Sequence, residues 1–225
     1  MTFLELAQKL RQEAQISGTG PVTVTGQTGQ MKMLVDWIND AYKDIQNHHE
    51  NWDFLRQDLS FDTIPNTAEY TDSGIGLTDL GEWLVDDMRC YLKASGIANQ
   101  QNIFFEDWDC FRRKYQFGSV STQTGRPFYF SEKPNNSLIF WPIPDAIYTV
   151  TGEYFQSART LSANTDTPNI PEKYQLIIVY RALMFAGTFF NAPEMYAYGQ
   201  SEYKKLLFRL EQTQLPATIL AGPLA

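Results

Sequence analysis

The stretch of residues 137–185 constrains the fold most, because it joins two strand patterns to a buried helix in one run. Residues 137–141 are rich in apolar and aromatic side chains, as expected for a half-buried strand. Residues 142–145 contain two prolines, which lack an N–H, so we expect the strand ladder to stop there. Residues 147–155 then resume as a strand. The imperfect alternation of this second strand leaves open which of its faces is buried.

A buried helix is predicted after this second strand. Pro171 and the neighbouring Glu172 are typical of a helix entry. Residues 174–190 are almost wholly apolar, which favours a central rather than a surface helix. The longest apolar run, residues 176–190, contains Arg181 and is shorter than the roughly 20 residues that a membrane span needs. Residues 1–10 lack the pattern of a signal peptide, so we predict no membrane partner.

Helical patterns stand at both ends of the chain. Thr2 and Glu5 match a capping box at the start of a first helix, and an apolar stripe predicts a second helix over residues 30–47. Pro193 begins a last helix. Its predicted packed face consists of Met195, Tyr198, Tyr203, Leu206, Leu207 and Leu210.

The middle of the chain has strand-like segments separated by turns, with one short helix predicted over residues 106–117. The fold class that follows is α+β: a helical bundle formed by the N- and C-terminal helices with an inserted antiparallel β domain. We assign residues 1–50 to the N-terminal helices, 51–155 to the inserted domain, 156–213 to the C-terminal helices and 214–225 to an extended docking tail.

The net charge of −8 is unevenly distributed along the chain. Residues 35–109 hold 16 acidic and 4 basic side chains, whereas the remaining segments hold 10 acidic and 14 basic ones. A sequence-specific DNA-binding protein normally has the reverse excess, because neutralising phosphates supplies much of its affinity. The acidic section either repels DNA, attracts a basic partner, or simply keeps the protein soluble.

No catalytic or cofactor-binding motif is found. The Gly-rich residues 17–29 lack the Lys-Ser/Thr pair of a phosphate-binding P-loop, and neither a GxSxG nor an HExxH motif occurs. The two cysteines do not form a CxxC pair, which fits a reducing compartment and argues against a cysteine-built zinc site. We therefore predict no catalytic residue, no cofactor and no enzymatic activity.

Two groups of side chains were weighed as metal ligands. His48 and His49 are adjacent, and adjacent residues of a helix point to different faces, so we interpret them as a frayed helix end rather than a metal site. The acidic groups at residues 86–87 and 106–109 suit Mg²⁺ in a nucleic-acid enzyme. Clustered acids on a solvated face are commoner, so we predict no metal site.

The last twelve residues are uncharged, apolar and interrupted by proline and glycine. Burying each large apolar side chain would stabilise an ordered tail by about 1.5–3 kcal/mol. Ordering the backbone opposes this with about 1–2 kcal/mol per residue. The tail therefore either docks on a partner or folds back on its own domain. The candidate docking residues are Leu215, Pro216, Ile219, Leu220 and Leu224.

A set of short sequence matches follows the chain in a fixed order. It comprises the two helices before Trp52-Asp53-Phe54, then Ile64-Pro65, Glu69-Tyr70, Arg126-Pro127, Leu138 with Pro142-x-Pro144-Asp145, Tyr154, Pro171-Glu172-x-Tyr174 and Asn191-Ala192-Pro193-Glu194. In this order the chain resembles the head–tail adaptor (connector, or head-completion) proteins of short-tailed bacteriophages.

The resemblance implies a structural virion protein. Such adaptors form a ring, usually twelvefold, under the portal protein, extend the channel for passage of double-stranded DNA, and provide the platform for the next tail or nozzle protein. It implies a homo-oligomer located at the head–tail junction and assembled in the host cytoplasm, with the C-terminal tail docked on the portal. The alternatives are a monomeric protein- or carbohydrate-binding module with an exposed aromatic patch among Trp83, Trp108 and Trp141, and the Mg²⁺-dependent enzyme.

Overall fold

The chain divides into two units in a computed structural model that describes residues 1–215. One unit combines residues 1–55 with those from Ala158 onward, and the other is Arg56–Ser157. The first is helical and the second is mainly antiparallel β-structure. The predicted α+β class, with a β region inserted between terminal helices, is therefore confirmed.

The described residues contain five α-helices and ten strands. The helices are α1 (Phe3–Glu13), α2 (Gly29–Gln46), α3 (Trp108–Tyr115), α4 (Leu176–Phe189) and α5 (Pro193–Gln214). The strands are β1 (Arg56–Asp62), β2 (Glu69–Tyr70), β3 (Leu80–Leu92), β4 (Gln101–Asn102), β5 (Phe104–Phe105), β6 (Thr124–Gly125), β7 (Tyr129–Glu132), β8 (Leu138–Trp141), β9 (Ile143–Pro144) and β10 (Tyr148–Gln156).

Helix α4 is the centre of the helical unit and packs against α1, α2 and α5. Its sequence is apolar on nearly all sides because it has neighbours on nearly all sides, as predicted. Its buried residues are Ile177, Ile178, Val179, Ala182, Leu183, Met184, Ala186 and Gly187. The predicted capping box of α1 is also present, with the Thr2 side chain accepting from the Glu5 N–H and the Glu5 side chain accepting from the Thr2 N–H.

The packed face of α5 differs from the prediction at one position. Tyr203 and Leu210 are buried, but Tyr198 is 48% exposed, and its ring meets that of Tyr180 edge to face. The buried residue is instead the next one along, Gly199, where an added Cβ would lie 3.0 Å from the Tyr180 carbonyl oxygen. The two helices approach too closely there for a large side chain to fit between them.

Two four-stranded sheets build the β unit. The first has the order β1-β10-β3-β4 and is antiparallel throughout. The second has the order β2-β8-β7-β5, with β5 running parallel to β7. Side chains from both sheets form one hydrophobic core, whose members include Phe61, Trp83, Phe130, Phe140 and Val150. A core shared by two sheets is the arrangement of a β-sandwich.

The face of β10 that joins the sandwich core is the one with Tyr148, Val150 and Tyr154. The pairing of β10 with β3 shifts between Thr151 and Glu153, and Met88 packs over Gly152 in the gap. Met88 is itself a member of this core.

The expectation that residues 142–145 form no strand pairing is wrong. Ile143 and Pro144 form β9, a two-residue parallel pairing with β6. The Ile143 N–H donates to the Gln123 carbonyl at 2.9 Å. Proline removes a donor but leaves its carbonyl free to accept, and the Pro144 oxygen accepts from the Asn66 N–H at 2.8 Å.

Candidate interaction surfaces

The C-terminal end of α4 presents aromatic rings at the surface of the helical unit. Phe189 is 58% exposed, and its ring lies 5.6 Å from that of Trp37 on α2 and 5.1 Å from that of Phe190. Phe190 also meets Trp37 edge-on, at 6.0 Å. We call Trp37, Phe189 and Phe190 the α4-end aromatic cluster. Three mutually contacting, partly exposed rings are typical of protein interfaces.

A shallow depression lies beside this cluster. It is lined by Trp37, Asp40, Phe185, Thr188 and Phe189. Its lining is mainly aromatic, with one carboxylate and one hydroxyl at its edge, so it suits an apolar side chain better than a charged ligand. The sequence signal for this surface is the pair Phe189-Phe190 at the end of an apolar helix, which was interpreted only as helix core.

A second aromatic surface runs across the β unit. Tyr115 of α3 stacks on Trp141 at 4.2 Å and on Tyr129 at 5.5 Å, and Phe104 lies 6.2 Å beyond Tyr129. Phe104 is more than half exposed. Strands β5 and β7 place Phe104 and Tyr129 side by side because the two residues are paired in register. Sequence reasoning missed this surface, since it depends on a parallel pairing between short strands.

Several acidic side chains of the β unit are bound by basic groups of the same unit. Glu69 accepts from Lys133 Nζ at 2.8 Å and from Ser137 Oγ at 2.6 Å. These bonds, the one from Lys133 first, hold the pKa of Glu69 below its usual value. Asp62 accepts from Lys93 Nζ at 2.6 Å and from Thr149 Oγ1 at 2.7 Å, which likewise lowers its pKa. Part of the negative charge of the acidic section is therefore neutralised by basic side chains of the same unit.

Three of the acidic residues considered for Mg²⁺ have structural partners. Asp87 pairs with Arg89 at 2.9 Å, Glu106 pairs with Lys114 at 2.8 Å, and Asp107 caps α3 by accepting from the Asp109 N–H. Within residues 1–215, none of these acids belongs to a group of three or more potential metal ligands. Asp87 and Glu106 serve in ion pairs, and Asp107 serves as a helix cap.

The three tryptophans of the binding-module alternative do not form one exposed patch. Trp83 is 3% exposed, lies in the sandwich core and donates from Nε1 to the Asn136 carbonyl at 2.9 Å. Trp141 is half-buried and donates to the Val120 carbonyl. Trp108 is half-buried and stacks on Phe111. Because Trp83 is inside, it cannot contribute to a surface site.

Only the first of the candidate docking residues lies within the described part of the chain. Leu215 is half-buried, and its N–H donates to the Glu211 carbonyl at 3.2 Å. Its backbone is extended (ψ 146°), so α5 ends there. Pro216, Ile219, Leu220 and Leu224 lie outside the described residues.

Comparison with known proteins addresses the whole chain rather than one site. None of the helices described for residues 1–215 is long and apolar enough to cross a membrane. No curated protein matches the chain. A family model described as SU10 adaptor protein matches residues 1–220, which is nearly the full length and includes both units. This confirms the resemblance to phage adaptors, and the chain belongs to the SU10 adaptor protein family.

Proposed function

We propose that the protein is a structural subunit of a phage head-to-tail adaptor ring that lies under the portal protein. The observation that carries this proposal is the family match over residues 1–220, which includes both the helical and the β unit. The protein acts by assembly rather than catalysis. It is located at the head–tail junction of the virion after assembly in the host cytoplasm.

The α4-end aromatic cluster is one contact between neighbouring subunits. In a ring, each subunit contacts its neighbour through two different surfaces, so an apolar patch on one subunit meets a different face of the next. Phe189, at 58% exposure, is the most exposed residue of this cluster. Fully burying such a side chain contributes about 1.5–3 kcal/mol to the free energy of association. The same contribution is repeated at each contact around the ring.

The acidic β unit suits a channel through which DNA passes without binding. Ion pairs such as Glu69–Lys133 moderate its negative charge but do not reverse it. A weakly repulsive wall keeps phosphates from adhering, since adhesion depends on basic side chains. The aromatic surface of Phe104, Tyr129 and Trp141 offers a platform for the next tail or nozzle protein, and residues 214–225 dock on the portal.

Native mass spectrometry of the full chain mixed with its cognate portal protein tests the assembly. We expect a high-order complex that contains several copies of this chain on the portal ring, and a chain truncated before Gln214 should bind much more weakly. A chain that stays monomeric in the presence of the portal protein would refute the proposal.

A matched pair of substitutions tests the subunit contact. Phe189→Asp should abolish ring assembly, whereas Phe208→Asp should preserve it. Phe208 has nearly the same exposure, 59%, but lies on α5 outside the aromatic cluster. Circular dichroism should show both variants folded. Equal loss of assembly in the two variants would contradict the assignment of the contact to this cluster.

A further inference from the structure

Three potential metal-ligand side chains meet beyond the C-terminal end of α2. His48 and His49 follow the helix, and Glu211 reaches them from α5, 162 residues later than His49. The Glu211 Oε1 atom lies 3.1 Å from His49 Nε2 and 3.6 Å from His48 Nε2. The three ligand atoms all lie within 4.8 Å of one another. All three residues belong to the helical unit.

The backbone explains why two adjacent histidines converge. Helix α2 ends at Gln46, and the His48 N–H closes only a tight turn to the Ile45 carbonyl, at 3.2 Å. The rule that adjacent helical residues point to different faces therefore does not apply to His48 and His49. Their rings approach each other edge to face, with centroids 4.7 Å apart, and both Nε2 atoms are directed at one carboxylate oxygen. The interpretation as a frayed helix end is thus incomplete.

Two of the three separations between ligand atoms suit a small divalent cation. With bonds of about 2.0–2.1 Å in tetrahedral coordination, ligand atoms around Zn²⁺ lie about 3.3 Å apart. The two nitrogen–oxygen separations here, 3.1 and 3.6 Å, lie on either side of that value. Two imidazoles and one carboxylate are ligands that Zn²⁺ accepts. The histidine side chains are 43% and 33% exposed, which leaves room for water in a fourth position.

Neighbouring groups orient the ligands and favour positive charge. Trp52 is fully buried, its Nε1 donates to the Ile45 carbonyl at 3.0 Å, and its ring meets the edge of His49 at 4.9 Å. This contact supports one side of the His49 ring. The end of α2 also carries the partial negative charge of a helix C-terminus, which stabilises a nearby cation.

We propose that His48, His49 and Glu211 form a Zn²⁺-binding site that links the end of α2 to the last turns of α5. The ion replaces the His49–Glu211 hydrogen bond and the longer His48–Glu211 contact by two nitrogen bonds and one oxygen bond to the same centre. Binding therefore stabilises the C-terminal part of α5 against fraying. The site does not depend on the proposed adaptor function, and it is tested without any portal protein.

The site is tested by measuring the zinc affinity of the metal-free full chain in competition with a chromophoric chelator. We expect one Zn²⁺ per chain, with affinity reduced more than about tenfold by His49→Ala and by Glu211→Gln. Glu50→Gln is the matched control, since this exposed neighbouring acid is not among the three ligands. It should bind zinc as the unsubstituted chain does.

A second measurement guards against loss of folding in the alanine variant. Zn²⁺ should raise the Tm of the unsubstituted chain and of Glu50→Gln but not that of Glu211→Gln, and a chelator should reverse the rise. Substitution by Co²⁺ should give a visible absorption band that Glu211→Gln lacks. Zinc binding of equal affinity in the unsubstituted chain, His49→Ala and Glu211→Gln would overturn the proposal, as would no binding at all.

Discussion

At the scale of single residues, the helical unit depends on the absence of a side chain at Gly187. A Cβ atom there would lie 2.7 Å from the Tyr196 backbone nitrogen and 3.0 Å from its Cα. Backbone atoms cannot rotate away as a flexible side chain can, so α4 and α5 would have to separate. Packed interiors resist such shifts.

Gly187→Ala should therefore lower the free energy of unfolding by about 1–3 kcal/mol. Urea denaturation followed by far-UV circular dichroism measures the change. Gly125→Ala is the control, because its Cβ would meet only Pro142, at 3.7 Å, which is ordinary van der Waals contact. A Gly187→Ala chain as stable as the Gly125→Ala chain would contradict the close approach of the two helices.

Glu69 makes the stability of the folded chain depend on pH. Its pKa is lower in the folded state than in the unfolded chain, chiefly because Lys133 donates to it. Its contribution to stability is then fully present above the ordinary carboxyl pKa of about 4 and is lost as pH falls through the lowered value. Glu69→Gln should lower the urea midpoint at pH 7 and make it less sensitive to pH below 5. Lys133→Met should have a similar effect, and unchanged pH slopes in both variants would exclude this ion pair as the cause.

At the scale of elements, the two N-terminal helices begin differently although both have threonine at the N-cap. The Thr2 side chain completes a capping box on α1, whereas Thr28 makes no side-chain capping bond on α2. The same residue type thus performs a capping role only where its neighbours allow it. Glu5, three residues after Thr2, is the difference that the sequence shows.

Thr2→Ala should therefore destabilise the chain by about 1 kcal/mol, within the usual range for a lost N-cap. Thr28→Ala should change stability little, which makes it a control of the same chemistry. Both values come from urea denaturation under identical conditions. If the two substitutions lower the free energy of unfolding equally, the capping box does not stabilise α1 in solution.

At the scale of the whole molecule, the chain contains two compact units with separate cores. The core of the sandwich draws on both sheets of the β unit, and Phe140 in it is 1% exposed. The helical core has its own members, such as Leu10, which is fully buried. Units that each have their own core can lose stability separately.

Phe140→Ala should destabilise the β unit by about 3–5 kcal/mol while the amides of α4 keep their protection. Leu10→Ala should produce the opposite pattern, with a loss of about 2–5 kcal/mol confined to the helical unit. Hydrogen exchange followed by mass spectrometry resolves the two units by peptide. Uniform loss of protection over all peptides in either variant would show that the units unfold as one.

Local patterns in the sequence were sufficient to predict much of the fold. The capping box of α1, the all-round apolar composition of α4 and the aromatic strand β8 were predicted because each depends on residues within a few positions of one another. The ordered series of short matches was likewise enough to indicate the adaptor family. Periodicity and turn chemistry are properties of neighbouring residues, so one sequence displays them.

Only the tertiary structure decided which distant residues meet. The imperfect alternation of β10 left open which face joins the core, and the packing of the two sheets placed Tyr148, Val150 and Tyr154 there. The pairing of Phe104 with Tyr129 and the approach of Glu211 to His48 and His49 likewise could not be predicted from the sequence. Such contacts depend on how elements pack across long separations in the chain. No local pattern encodes that packing, so the two adjacent histidines by themselves favoured a frayed helix end, and their contact with Glu211 could not be predicted.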